Sequence, residues 1–360
     1  MNAKHVEDIA NAVLYEGYML YPYRPSSVKN RQRWNFGVVY PKSYSDKQSG
    51  GSDNWFMQTE CLAKGDSVTE IRVKVRFLQG VARKVGTLTA AIDEWPKNSD
   101  RQPDFRLVDS LQVGAKTIQT WQEAVEREIV LPPIRFSGEG SVKTTTSQLF
   151  PAGEEFEPVQ GPDQRISGVI VRTRETLAAQ VDAAAQRLAE GLYRVSVRIS
   201  NVSIAEKLTE TTRDEALMQS LLSAHTILGI EGGEFVSAID PPEDLKDFAA
   251  TCQNTGTWPV LTGEEGRRDT ILSSPIILYD YPQIAPESPG NLFDGTEIDE
   301  ILALRILTLT EDEKNEMREA DDRSRQILER TESLPDEHFM KLHGVLRGLR
   351  PAEQSDEERQ

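Results

Sequence analysis

The 360-residue sequence predicts an α+β protein: β-rich N-terminal and middle units of mainly antiparallel strands, then a helical C-terminal part. Three observations lead there. Ile71, Val73, Val75 and Phe77 alternate with Arg72, Lys74 and Arg76, the period of two that gives a strand one buried and one wet face. Val195, Val197 and Ile199 repeat that pattern against Arg194, Ser196 and Arg198. Beyond Thr296 the apolar spacing becomes helical, with Ile298, Ile301 and Leu302 on one face and Phe339, Leu342, Val345, Leu346 and Leu349 on a later one.

Taken in order, Val6, Ile9, Ala10, Val13 and Leu14 fall on one face of an amphipathic helix that should end near Gly17. Pro22 and Pro25 push the aromatic run around Tyr21 and Tyr23 toward extended backbone. Trp34 to Tyr40 and Trp55 to Leu62 are short aromatic and β-branched runs separated by polar, turn-rich sequence, and Phe105 to Val113 and Ala124 to Leu131 add extended structure. Residues 136–165 are dominated by Gly, Ser, Thr, Glu and Pro, and predict a linker or long loop between an N-terminal unit (1–135) and a middle unit (166–295). Ile166 to Thr173 resumes as a strand. Ala178 to Glu190 has the alanine-rich composition of a helix, with Gly191 as its stop.

Thr212 with Glu215 is a capping-box pattern, and Thr226 to Ile230 and Phe235 to Ile239 flank Gly232-Gly233 as in a hairpin. A helix over Glu243 to Cys252, apolar runs at Trp258 to Leu261 and Ile271 to Tyr279, and a rigid proline-bearing loop from Pro282 to Gly290 follow. The helical part spans 296–350, with a second capping box at Thr310 and Glu313, and the charged tail 351–360 is expected to be disordered.

The formal charge of -17 lies wholly beyond residue 150, because residues 1–150 carry 20 basic and 17 acidic side chains. That field opposes nucleic-acid binding and favours a protein partner. Apolar runs fall far short of the ~18 residues that cross a bilayer, and the N-terminus lacks a secretory pattern, so a cytoplasmic location is expected. Cys61 and Cys252 stand alone and predict two reduced thiols, with a single long-range bridge as the alternative.

Neither a GxxxxGK[ST] phosphate loop nor a GxSxG nucleophile elbow is present, and His338 and His343 are spaced poorly for one metal. No cofactor and no metal site is predicted. A constellation of His225, Asp240 and Cys252 could activate a thiolate, against the plainer reading of a core cysteine and a hairpin-side histidine. Glu297, Asp299 and Glu300 suit the first turn of a helix better than a cation site. A pocket between the N-terminal and middle units is expected to draw on Tyr21, Arg24, His225, Ser274 and Asp280, while Arg31, Arg33 and Trp34 form a candidate partner-binding patch.

Several stretches carry a resemblance: Ala12 to Arg24, Lys29-Asn30, Arg33-Trp-Asn-Phe-Gly37, Asn254 to Val260, Leu272 to Asp280, Ala285 to Gly290, Phe293 to Ile301 and Leu307 to Thr310. Together they resemble uncharacterised bacterial proteins associated with nickel-iron hydrogenase gene clusters. The resemblance implies an accessory protein that assists assembly or regulation of a hydrogenase through protein contacts, its partners being hydrogenase subunits or maturation factors. It implies no catalytic residues. Some members of that group continue into a β-rich segment beyond the Leu342 to Arg347 helix, and a function residing there is not implied for this chain. The competing expectations are an enzyme using the pocket named above, or a structural module docking through its helical C-terminal part.

Overall fold

The computed structural model describes residues 3–15, 36–48, 53–96, 102–114, 116–138, 140–204, 212–283, 306–320 and 322–333. Tyr21, Arg24, Arg31, Arg33, Trp34, the acidic cluster at 297–300, most of the 282–290 loop, the 339–349 helix and the tail lie outside the described residues. Strand accounts for 49% and helix for 19%, so the α+β reading holds with strands dominating and helices mostly C-terminal.

Helices α1 (Ala3–Leu14) and α2 (Lys42–Ser45) precede β1 (Phe56–Lys64), β2 (Glu70–Ile92), β3 (Phe105–Val108), β4 (Ser110–Val113), β5 (Lys116–Gln119), β6 (Trp121–Val130) and β7 (Ile134–Arg135). Next come β8 (Ser141–Phe150), β9 (Gly153–Gln160), β10 (Ile166–Arg174), β11 (Leu177–Ala189) and β12 (Leu192–Asn201). Helix α3 (Arg213–Met218), β13 (Leu221–Glu231), β14 (Glu234–Phe235), α4 (Lys246–Ala250), β15 (Trp258–Leu261) and β16 (Thr270–Ser274) lead to α5 (Glu311–Ala320) and α6 (Asp322–Glu332).

The 23-residue strand β2 is the spine of a nine-stranded sheet. Along one side it pairs with β13 from Glu70 to Gln79 and then with β10 from Ala82 to Ile92. Along the other it meets β7, then β6, then β3, all antiparallel. A five-stranded sheet in the order β14-β1-β12-β11-β8 packs on the first half of β2. Ile71, Val73, Val75 and Phe77 enter the shared core with Val195, Val197, Ile199, Val181 and Leu177. Phe77 meets Phe150 edge-on with ring centroids 5.5 Å apart.

The outer half of β2 is roofed differently. Val85 packs with Ile118, Val159 and Ile170, and Leu88 with Ile166, Val169 and Val171. Between the halves, Leu78 to Val81 is buried on both faces: the sandwich covers one, and Leu217 and Leu222 with Met317, Ile327 and Leu328 of the C-terminal helices cover the other. A Cβ at Gly80 would stand 2.6 Å from the Met218 Cε, so the end of the Met218 side chain packs into the space that glycine leaves.

Three expectations are corrected. Residues 178–190 form β11 rather than a helix: Leu177, Ala179, Val181, Ala183 and Ala185 alternate inward, and pairing with both β12 and β8 overrides the helix preference of alanine. The expected linker 136–165 contains β8 and β9, whose Thr-rich and alternating sequences form strands that enter separate sheets. Strands on either side of it share both sheets. Gly232-Gly233 does not close a hairpin; β14 leaves β13 and pairs with β1, and Gly233 admits no side chain because a Cβ would lie 2.4 Å from the Lys64 carbonyl oxygen. Both capping boxes form, with Thr212 and Glu215 bonded reciprocally and Thr310 and Glu313 likewise.

Because Phe77 is fully buried between the two sheets, Phe77→Ala should lower unfolding stability by about 3–5 kcal/mol, read from a urea titration.

Candidate functional site

Ser274 and Asp280, two of the polar residues picked out in the sequence, are held in structural roles. On β13 the register with β2 shifts between Leu222 and His225, and Ser223 takes φ 51 in that bulge. Ile227 of β13 and Leu272 of β16 pack under Ile9, Ala10 and Val13 of α1, and His225 shares that face. The Nδ1–H of His225 donates to the Ser223 carbonyl (3.1 Å), leaving Nε2 buried without a partner among the described residues. Burial pushes its pKa down to about 4, with the Arg76 cation acting in the same direction.

Thr226 pairs with Ser273, so Ser274 is the next neighbour of His225 across the ladder. Its hydroxyl, however, donates to the Ile276 carbonyl at 2.8 Å. Asp280 is elsewhere. It accepts from the Ser237 hydroxyl and from the Leu261 N–H, beside the end of β15 opposite to Ser274. Three strand positions separate those ends, roughly 10 Å. His225 and Ser274 are thus adjacent, and Asp280 does not join them.

Cys252 does not join His225 either. Met57, Thr59, Cys61 and Ala63 of β1 point toward the other sheet, whereas Leu62 packs outward with Cys252. Cys252 therefore lies on the outer face of the five-stranded sheet and His225 on the outer face of the nine-stranded one. The same geometry puts the strand itself between the two thiols, which are free, and burial raises both pKa values. Among the described residues no group of three or more His, Cys, Asp or Glu could hold a metal ion.

Two larger features remain. A cleft of about 900 Å³ lies between the outer half of β2, β5 and the C-terminal helices. Its charges are matched internally: Arg172 bonds Glu123 at 2.6 Å and Glu157 at 2.5 Å, and Lys116 bonds Glu319 at 3.0 Å. Buried Arg83 donates to the carbonyls of Glu319 and Ala320, supplying positive charge at the C-terminus of α5. This is a joint between helices and sheet.

The second feature is a groove of about 650 Å³ whose walls include Phe36, Tyr40, Phe56, Trp258 and Ile277. It follows from the bulge. With Ser223 and Ala224 out of the ladder, the Ala224 N–H is free to donate to the Gly37 carbonyl (2.9 Å), and Val39 exchanges hydrogen bonds with Leu221. Gly37 has φ 58, and a Cβ there would stand 2.7 Å from the Pro275 Cγ, so only glycine lets the 36–40 segment lie against Pro275. Tyr40 stacks on Tyr44, and burial pushes its phenol pKa up against the pull of Arg213. The Arg198 guanidinium lies 3.8 Å from the Phe56 ring centroid. Ile277 stands 77% exposed, with Phe36 and Trp258 also open to solvent, so this groove is the candidate functional site.

Sequence reasoning missed these wall residues individually. The available signal was the density of Tyr, Trp, Pro and Gly at 12–37 and 254–301, since Phe36, Gly37, Gly256, Trp258, Pro275 and Ile277 fall within those two stretches.

No protein-family model and no curated protein matches the chain. Among solved structures it has a slight likeness to a chain of the Salmonella type III secretion injectisome secretin in its open-gate state. Identity is 9% and the TM-score 0.15, over 60% of this chain and 56% of the secretin chain. A likeness of that size carries no argument about fold or function.

Two outcomes follow. A folded pKa for His225 of about 4, below the ordinary value of 6.5, means that the unfolded chain binds more protons between those values. The stabilisation is complete above pH 6.5 and declines as pH falls toward 4, by roughly 3 kcal/mol, and His225→Leu should flatten that limb of the stability profile. Arg83→Met should release the end of α5, speeding amide exchange in the C-terminal helices while leaving β11 and β12 protected.

Proposed function

We propose that the chain is an accessory protein that assists assembly or regulation of a nickel-iron hydrogenase through protein contacts, and that the aromatic groove holds the partner. The observation carrying this reading is a convergence. Three of the stretches on which the hydrogenase-associated resemblance rests, 33–37, 254–260 and 272–280, contribute Phe36 and Gly37, Gly256 and Trp258, and Pro275 to Ile277 to the walls of one groove.

Its physical character suits a protein segment. Large, solvent-open Phe36, Trp258 and Ile277 are the kind of side chains that act as anchors, and Arg213 and Asp53 give the rim polar groups that can orient a backbone. The partner is a protein with an apolar segment, met in the cytoplasm. Among the described residues no helix is long and apolar enough to cross a membrane. The alternative of docking through the C-terminal helices is less favoured: Met317, Ala320, Ile327 and Leu328, the apolar faces of α5 and α6, are already turned onto the body of the protein.

The test is co-purification from cells expressing a nickel-iron hydrogenase, using the wild-type chain and an Ile277→Asp, Trp258→Ala double variant. Hydrogenase subunits or maturation factors should be recovered with the wild type and reduced at least about tenfold with the variant. Equal recovery by both would remove the groove from the reading. Failure of the wild type to recover any of them would remove the hydrogenase.

A further inference from the structure

The five-stranded sheet ends on β8, and that edge differs from the others. On the β12 side of β11, the Ala178 carbonyl accepts from the Val202 N–H. Alternate residues of a strand bond to opposite neighbours, so Ala179, Val181 and Ala183 bond toward β8, where they face Gln148, Thr146 and Thr144. Lys143, Thr145 and Ser147 therefore direct their N–H and C=O groups away from the sheet. Among the described residues no backbone group bonds to them on that side.

Other edges carry the features that discourage strand addition. The outer edge of β9 has Glu154, Glu155, Glu157 and Pro158. The free side of β6 has Glu123, Glu126, Arg127 and Glu128. β15 contains Pro259 and is covered where Asp280 and Tyr281 bond Leu261. By contrast β8 is ten residues long, contains no proline, and has Lys143 as its single charge.

We propose that β8 pairs antiparallel with β8 of a second copy of this chain, about a two-fold axis at Thr145, joining two five-stranded sheets into one. The sequence of the edge is self-complementary in that register. Lys143 meets Ser147 of the second copy, Thr144 meets Thr146, and Thr145 meets Thr145, so the outward N–H and C=O groups exchange hydrogen bonds in pairs. Threonine pairs across strands are favourable, and the half-exposed row Val142, Thr144 and Thr146 is covered by its counterpart. The two lysines end four strand positions apart, roughly 13 Å, beyond the screening length of about 8 Å at physiological salt. Self-pairing of β9 would instead oppose carboxylates. This palindromic register favours a second copy over an unrelated peptide strand.

The test is sedimentation of the full chain from about 1 to 100 µM, a range in which micromolar association is visible. Thr145→Pro removes one outward N–H, a position at which an edge strand tolerates proline, and leaves the ladder to β11 intact. Thr145→Lys places like charges opposite each other on the axis while keeping a lysine-tolerant edge beside Asp182. The wild type should dimerise, and both variants should associate at least about tenfold more weakly with unchanged far-UV circular dichroism. A wild type that stays monomeric throughout, or a dimer that the Thr145→Lys variant retains at full affinity, would overturn the proposal; the lysine variant decides the matter if the proline variant misfolds. Neither variant touches the groove, so this outcome is separate from that of the hydrogenase reading.

Discussion

The change of partners along β2 is the constraint on which the rest of the structure depends. A strand of 23 residues is far longer than one sandwich can use, and this one is occupied in two stages, by β13 and then by β10 on the same side. At the handover, Gln79 continues the inward series of Ile71, Val73, Val75 and Phe77 and is fully buried. Its amide donates to the Glu175 carbonyl and accepts from Arg127, so a buried polar side chain is satisfied where two half-sheets meet. The helices at both ends of the chain then converge on this stretch because Leu78 presents an apolar face that the sandwich does not cover.

How those helices are held shows which polar interactions matter. The Tyr15 hydroxyl, at the end of α1, donates to Glu126 at 2.5 Å, and the same carboxylate accepts from Arg76 (3.2 Å) and from Arg323 of α6 (3.0 Å). Burial alone would raise the pKa of Glu126, but these three partners outweigh it and hold the group below its ordinary value, while burial and the Glu126 contact raise that of Tyr15. One carboxylate on β6 thereby joins the N-terminal helix, the spine and the C-terminal helices. The roof that α1 makes over His225 depends on this knot, and the bulge beside it, to which the Ser223 hydroxyl contributes a bond to the Val13 carbonyl, sets the floor of the groove.

Much of this was legible where burial is one-sided. The Ile71 to Phe77 alternation was plain because β2 has the core on one face and Arg72, Lys74 and Arg76 on the other. The two capping boxes were equally plain, being local reciprocal bonds that need no tertiary context. β11 was illegible because its inward positions are mostly alanine, whose composition favours a helix while its spacing of two is hidden by further alanines at Ala178 and Ala184. The separation of Asp280 from His225 and Ser274 was illegible for another reason: sequence shows which residues are polar but not which are already bonded, and Ser274 and Asp280 are both engaged in holding loops. Groove residues such as Ile277 were invisible one by one, since an apolar residue in a strand-like run is ordinarily a core residue.

Charge and apolar surface have separate tasks in this protein. Among the described residues many ion pairs are on the surface, as between Arg72 and Glu231 or Lys64 and Glu234, and pairs of that kind add little to stability. The excess of -17 is therefore largely uncompensated and acts at long range, steering encounters toward basic partners and away from polyanions. It cannot by itself fix a register, because it is diffuse and screened over about 8 Å at physiological salt. Dense aromatic contact at a groove supplies what the field lacks, since desolvated anchors slow dissociation far more than rim charges do. If the groove holds a protein partner as proposed, an acidic chain that keeps Ile277 open to water would combine salt-sensitive encounter with salt-insensitive retention, and those two dependences can be separated by measuring association and dissociation rates over a range of ionic strength.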